Sequence, residues 1–222
     1  MPNASAPPPE GQKVLGKRAL QKEQTRSRLL EVALKTFAAR GFEGTSVRDI
    51  AQAADVNHGM IKYYFKTKDL LWRAAITLLF QRMETELGGS HPEDEGVDAL
   101  NLAKNRIRRY VHYCARHPEH ARMMVQESIR DNERLHWAVE TFIRPQHESA
   151  RALRQRPEAA GIWPDIPEAS LAYIVVASAQ MPFVLAPELR HLYGVDMFEP
   201  ANIEAHAEAM ITVLFDHRVA RV

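Results

Sequence analysis

Hydrophobic residues recur at helical spacing along most of the chain. Leu30, Ala33, Leu34 and Phe37 stand at positions i, i+3, i+4 and i+7, which predicts an amphipathic helix over residues 25–40. No convincing alternation of polar and apolar residues predicts a strand, so we expect an all-α fold. Further helices are expected at residues 47–54, 57–65, 68–87, 97–116, 119–130, 132–156, 167–190 and 200–219.

Two short helices are predicted between residues 46 and 65 from their starting signals. Ser46 with Asp49 three residues later forms a capping box, in which each side chain bonds the other's backbone N–H. Asp55 can adopt a left-handed conformation that ends the first helix, and Asn57 can cap the second. Two capped helices about four residues apart predict a helix-turn-helix, a motif that binds DNA.

The second helix of this motif should divide into a buried and an exposed face. Met60, Ile61 and Phe65 share one face at helical spacing, so we expect them to pack inward. The next helix begins at Thr67, a capping residue, and its N-terminus together with Lys68 forms a favourable site for a phosphate. The residues left for the outer surface are Asn57, His58, Gly59, Lys62 and Tyr63.

These residues resemble the TetR family of bacterial transcriptional regulators. The resemblance runs from about Thr25 to Trp72 and departs from the family pattern at Asp55, Lys62 and Tyr64, where operator preference is hardest to predict. The matching residues are Leu29, Leu30, Ala33, Phe37–Phe42, Thr45–Ala51, Val56, Asn57, Ile61, Tyr63–Phe65, Lys68, Leu70 and Leu71.

The resemblance implies a three-helix DNA-binding head on a larger helical domain that binds a ligand and dimerises. The expected domains are a disordered basic arm over residues 1–22, the head over residues 23–70, and the larger domain over residues 71–222. A symmetric homodimer would present two heads to a palindromic site in double-stranded DNA. The expected DNA contacts are Thr25, Thr45, Arg48, Asn57, His58, Gly59, Lys62, Tyr63 and Lys68.

Several of these contacts have alternative interpretations. Lys62 and His58 could each reach a base edge or a phosphate, whereas Tyr63 resembles the family's phosphate-contacting tyrosine. Gly59 costs about 1 kcal/mol relative to Ala inside a helix. Its presence fits a close approach of backbone to DNA, or simple tolerance in a short helix. Arg48 could instead form a surface salt bridge.

Charge is distributed unevenly along the chain. Residues 1–70 contain 12 Lys and Arg against 7 Asp and Glu, a net charge of +5, whereas the remainder has 17 against 21, a net charge of −4. This asymmetry suits an N-terminal part that meets phosphates. Lys13, Lys17, Arg18 and Lys22 could add salt-sensitive attraction to DNA, or belong to a solvated tail.

The larger domain contains aromatic residues and methionines that could line a pocket for an apolar or aromatic effector. The same residues at helical spacing could equally form an ordinary core, and the polar members could lie on the surface. The expected pocket residues are Phe80, Met83, Tyr110, Tyr113, Met124, Gln126, Glu127, Trp137, Tyr173, Gln180 and Phe183.

Two helical segments are candidates for a dimer interface. Residues 171–181 are apolar on most faces with small residues among the large ones, and the last helix adds a second apolar series. A monomer core would explain the same pattern. The expected interface residues are Leu171, Ile174, Val175, Ile203, Ala207, Met210 and Leu214.

Other classes of function find little support in the sequence. The single cysteine, Cys114, excludes an intramolecular disulfide, and His112, His117 and His120 lack the carboxylate or thiol partners of a zinc site. There is no nucleophile elbow and no glycine-rich phosphate loop, so we expect neither an enzyme nor a cofactor. We expect a cytoplasmic, ligand-responsive repressor without membrane contact. The alternative is an architectural DNA-binding protein without an effector.

Overall fold

The computed structural model describes residues 17–216, with the side chains described from residue 19, and all regular elements in this range are helical. The prediction of an all-α fold is confirmed. The helices are α1 (Lys17–Arg40), α2 (Val47–Ala53), α3 (His58–Phe65), α4 (Lys68–Leu87), α5 (Ala99–Arg116), α6 (Pro118–Ser128), α7 (Glu133–Ala138), α8 (Arg144–Arg154), α9 (Glu168–Val184), α10 (Ala186–Tyr193) and α11 (Pro200–Phe215).

Local signals in the sequence place α2 and α3 correctly. The hydroxyl of Ser46 accepts from the backbone N–H of Asp49, whose carboxylate accepts from the backbone N–H of Ser46, each at 3.1 Å. Asp55 adopts the left-handed conformation with φ at 50°. Asn57 Oδ1 accepts from the backbone N–H of Gly59 at 2.8 Å. These contacts fix where both helices begin and the turn between them.

The first helix is longer than predicted, and part of the expected arm is helical. Helix α1 begins at Lys17, so residues 17–22 are helical and their assignment to a disordered arm is wrong. The sequence from Lys17 to Gln24 contains no Gly or Pro and consists of residues that favour helices. Thr25 lies within the helix and its hydroxyl donates to the carbonyl of Gln21 at 2.9 Å. Residues 1–16, including Lys13, lie outside the described range.

Two hydrophobic cores are joined through α4. One contains the head helices α1, α2 and α3 with most of α4, and the second contains α5, α9 and α11. Trp72 and Leu79 are buried in the first core, and Met83, further along α4, packs against both. Helix α6 also contributes Met123 to the first core. The head therefore packs directly against the rest of the chain.

Two predicted long helices are not regular α-helices throughout. The segment expected over residues 132–156 contains a π-helical turn, Val139–Ile143, between α7 and α8. The segment expected over residues 167–190 bends by 71° at Leu185, where α9 ends and α10 begins. Pro187 lies in the first turn of α10 and cannot donate the N–H that would continue α9. Residues 217–219, expected in the last helix, lie outside the described range.

Within residues 17–216 no single helix combines the length and hydropathy needed to cross a membrane. Together, α9 and α10 reach these values, but as a pair bent by 71°.

Candidate nucleic-acid interface

Helix α3 has the two faces that its sequence predicts. Ile61 and Phe65 are buried at 1% and 5% exposure. His58, Lys62 and Tyr63 are exposed on the other side, and Tyr63 keeps 64% of its surface accessible. Met60, expected to be inward, is only partly buried. The exposed face thus offers an imidazole, an ammonium and a phenol, all of which can donate hydrogen bonds.

The glycine in α3 has a structural explanation. A Cβ at Gly59 would lie 3.2 Å from Oδ1 of Asn57, closer than a comfortable van der Waals contact. That oxygen is the acceptor that caps the helix. Gly59 therefore lets the side chain of Asn57 reach the backbone N–H, whether or not DNA approaches this position.

The beginning of α1 extends the surface formed by α3. Nζ of Lys22 lies 5.3 Å from the ring centroid of Tyr63, a cation–π contact. The ring of Tyr63 also meets that of Tyr64 edge-on at 5.0 Å, and Tyr64 is partly buried. No sequence pattern pairs Lys22 with Tyr63, because they lie 41 positions apart.

One predicted DNA contact is inaccessible. Thr45 is 1% exposed, and its hydroxyl donates to the carbonyl of Gly41 at 2.7 Å. Its prediction as a DNA-backbone contact is wrong, because this side chain closes the loop between α1 and α2. The hydroxyl of Thr25 is likewise committed to the carbonyl of Gln21, although part of the side chain stays accessible.

The N-terminus of α4 forms a second part of the surface. Thr67 Oγ1 accepts from the backbone N–H of Leu70 at 3.1 Å and caps the helix. Asp69 pairs with Arg73 at 2.7 Å, one turn later. Nζ of Lys68 lies 4.2 Å from the ring centroid of Phe42, in the loop after α1. A cation and the positive end of a helix dipole therefore lie together.

The ion pairs around the motif involve only some of its charged residues. Hydrogen bonds from Ser46 hold the pKa of the Asp49 carboxyl below its usual value, and the Arg40 guanidinium, 3.5 Å away, adds to this effect. Arg48 and Lys62 form no ion pair with any other described residue. For Arg48 this removes support for the alternative of a surface salt bridge. Such unpaired cations suit contacts with phosphates.

The residues expected to line a ligand pocket lie in several different environments. Tyr173 is 64% exposed, whereas Tyr110 lies inside and its hydroxyl accepts from Gln180 Nε2 at 2.8 Å. Gln126 and Glu127 face the head or the α6–α7 loop, through bonds to the Ala38 carbonyl and to residues 132 and 134. The others pack in the two cores, with Phe80, Met124 and Trp137 in the first, Tyr113 and Phe183 in the second, and Met83 against both.

The residues expected at a dimer interface also differ in burial. Ile174 is 44% exposed on α9 and remains available to a partner. Val175 and Ile203 are partly buried against the second core. The remaining four are buried by the chain itself, so their assignment to an interface is wrong: Leu171, Ala207, Met210 and Leu214. The sequence pattern does not separate the core face from the exposed face on these two helices.

Comparison with known proteins gives a consistent picture of the head. Residues 29–75 match the family described as bacterial regulatory proteins, tetR family. The HTH-type transcriptional repressor NicS of Pseudomonas putida is 28% identical over 173 residues, which cover 73% of this chain and 77% of that protein. The HTH-type transcriptional repressor Rv3405c of Mycobacterium tuberculosis is 37% identical over 73 residues, 33% of this chain and 39% of that protein.

The similarity of fold extends over most of the chain. A mutant form of HlyIIR aligns with a TM-score of 0.66 at 21% identity, covering 88% of this chain and 99% of the other. A TetR-like transcriptional regulator from Rhodococcus sp. RHA1 aligns with a TM-score of 0.59 at 17% identity, covering 85% and 92%. At these identities the alignments concern the fold alone.

Proposed function

We propose that this chain, whose residues 29–75 match the tetR family, is a DNA-binding transcriptional regulator that acts as a homodimeric repressor and releases a palindromic operator when a small molecule binds. The observation that carries the proposal is the exposed face of α3. On that face His58, Lys62 and Tyr63 point away from a well-packed three-helix head. Recognition of bases in a major groove requires an exposed helix that carries donor side chains and is held on a rigid support.

The proposed base contacts and the proposed phosphate contacts are different residues of the head. Lys62 and His58 lie on α3 and are the proposed base readers. Lys68 at the start of α4, Arg48 on α2 and Tyr63 are the proposed phosphate contacts that set the register. Lys22 joins this second group because its ammonium lies beside the ring of Tyr63.

A homodimer is proposed because a single short helix supplies little affinity and because apolar side chains remain exposed on α9 and α11. Tyr173 and Ile174 on α9 are 64% and 44% exposed, and Val213 on α11 is 70% exposed. Pairing of these faces about a two-fold axis would bury them and bring two heads to one duplex. These exposed residues replace the buried ones as the proposed interface.

An effector response is supported by the direct packing of the larger domain on the head. We call the described part of this domain, residues 71–216, the body. Gln126 Nε2 on α6 donates to the carbonyl of Ala38 near the end of α1, at 3.0 Å. A small molecule that shifts α6 would therefore disturb the end of α1, and DNA binding would oppose that shift in return. An apolar or aromatic effector suits the aromatic and methionine side chains that surround α4 and α6.

The proposal can be tested by binding the wild-type protein to DNA from upstream of its own gene, in competition with unrelated duplex. Lys62→Ala should lower affinity for the upstream DNA and reduce the preference over competitor, because it removes a proposed base contact. Tyr63→Phe should weaken binding to both, because it removes one phosphate donor. Lys104→Ala provides a matched loss of charge, since Lys104 lies on α5 and pairs with Asp216.

Three results would contradict the proposal. These are weak binding without sequence preference, equal losses from Lys62→Ala and Lys104→Ala, and one protomer per duplex at saturation. Sequence-independent binding that compacts DNA would favour the architectural alternative.

A further inference from the structure

One aromatic ring lies against a cation from the head and a cation from the body. Phe42 follows α1, and its centroid lies 4.2 Å from Nζ of Lys68 and 3.7 Å from Cζ of Arg134. Lys68 opens α4 at the proposed DNA surface, whereas Arg134 belongs to α7. A cation over a ring at such distances is attracted by the electrons of the ring face. Phe42 is therefore a direct physical link between α7 and a proposed phosphate contact.

Arg134 is held in place from the body side. Its Nε donates to Oε2 of Glu127 at 3.1 Å, and Glu127 is only 2% exposed. Asn132 Nδ2 donates to the same oxygen at 2.7 Å. On the head side, Arg134 lies 3.6 Å from Glu43. Two carboxylates therefore balance its charge, and its planar guanidinium is free to stack on Phe42 without strongly repelling Lys68.

The loop that carries Phe42 also abuts α6. Gly41 has φ at 71°, and a Cβ there would lie 3.0 Å from Oε1 of Gln126. The ring of Phe42 also stacks on Phe37, with centroids 6.0 Å apart. The loop is thus enclosed by α1, α6 and the α7 guanidinium. A displacement of α6 and α7 would change the support on which Lys68 rests.

We propose that Arg134 is a positioning residue for DNA binding, which acts through the Phe42 ring to hold the Lys68 ammonium where a phosphate meets the start of α4. The proposal rests on the proposed function, since it requires that Lys68 contact DNA. It adds a route by which the body of the protein sets the affinity of the head. A lysine side chain held against a ring loses less conformational freedom on binding than a free one.

A double-mutant cycle tests this route. The probe is a duplex that the wild-type protein selects from random-sequence DNA, and affinities are measured over a range of salt concentrations. Lys68→Ala and Arg134→Ala should each weaken binding, the latter roughly tenfold for a dimer with two such contacts. The double variant should bind no more weakly than Lys68→Ala alone. Phe42→Leu should behave like Arg134→Ala, because it removes the ring face.

Two further variants separate positioning from charge and from stability. Arg130→Ala removes the same charge from the loop beside α7, where Arg130 is exposed, and should leave affinity within about twofold, as is usual for surface changes. If Arg134→Ala fails to fold because Glu127 is left unpaired, Arg134→Met combined with Glu127→Gln removes both charges and enters the same cycle. Thermal unfolding of each variant shows whether Arg134→Ala is folded. If it is not, the combined Arg134→Met and Glu127→Gln variant replaces it in the cycle.

The outcomes are distinct. Losses from Lys68→Ala and Arg134→Ala that multiply in the double variant would overturn the proposal, since the residues would act independently. Wild-type affinity in Arg134→Ala, or in Lys68→Ala, would also overturn it while leaving DNA binding intact. Failure of the wild-type protein to select any duplex would instead refute the proposed function.

Discussion

The buried histidine of α6 gives a quantitative prediction about stability. His120 is 6% exposed, and its ring packs edge-on against Phe80 at 4.6 Å. Its Nδ1 lies 2.8 Å from the hydroxyl of Tyr113, which in turn lies 3.1 Å from the carbonyl of Leu79. The single proton of the Tyr113 hydroxyl cannot be donated both to His120 and to the Leu79 carbonyl. Both hydrogen bonds form when Nδ1–H of His120 donates to the tyrosine oxygen and the tyrosine hydroxyl donates to the Leu79 carbonyl.

Burial in this site, with the charge of His117 nearby, lowers the pKa of His120 from 6.5 to about 4. The unfolded chain therefore takes up a proton as pH falls below 6.5, whereas the folded chain does so only near pH 4. Stability from this group is fully present at neutral pH and is lost as pH falls through that interval. The difference corresponds to about 3 kcal/mol, from about 1.4 kcal/mol per pKa unit.

Urea unfolding at several pH values between 7 and 4, at one protein concentration, measures this effect. Carboxyl groups with lowered pKa values, such as Glu86 and Glu204, also lose stabilising interactions on acidification. His120→Gln serves as the control because it retains a polar side chain that does not titrate. The free energy of unfolding should fall by about 3 kcal/mol more for the wild type than for the variant. Equal decreases would refute the reasoning.

Three further predictions concern other positions. Gly41→Ala should destabilise the protein by more than about 1 kcal/mol in urea unfolding, because φ is +71° and a Cβ meets Gln126; unchanged stability would contradict this. Burial raises the pKa of the Cys114 thiol to about 12, so it should react with a thiol reagent at pH 8 only after denaturant is added; rapid labelling of the native protein would count against it. Lys22→Gln should lower the slope of log affinity against log salt by about 0.9 for each head that loses a phosphate contact, and an unchanged slope would remove Lys22 from the DNA surface.

The sequence predicted the head well because its signals are local. The Ser46–Asp49 capping box, the left-handed Asp55 and the cap at Asn57 each depend on residues within four positions of one another. Such short-range signals can be recognised from the local sequence without knowledge of the rest of the fold. The start of α1 was missed because helix formers between Lys17 and Gln24 carry no cap and little apolar patterning.

The body was predicted less well because its contacts are non-local. Helix α9 is apolar on nearly every face, so its sequence does not indicate that Leu171 turns inward while Tyr173 remains exposed. The same holds for α11, where the core takes Met210 and leaves Val213 outside. The contact of Arg134 with Phe42 joins residues 92 positions apart, and no spacing rule could reveal it.

The most direct test of the account is selection of duplexes from random-sequence DNA by the wild-type protein, followed by the mass of the complex. We expect enrichment of an inverted repeat whose half-site centres lie about 10–10.5 base pairs apart, or a multiple of this distance, with two protomers per pair of half-sites. Enrichment of a single unrepeated site bound by one protomer would contradict the two-headed arrangement. A pool that shows no enrichment would contradict sequence-specific regulation itself.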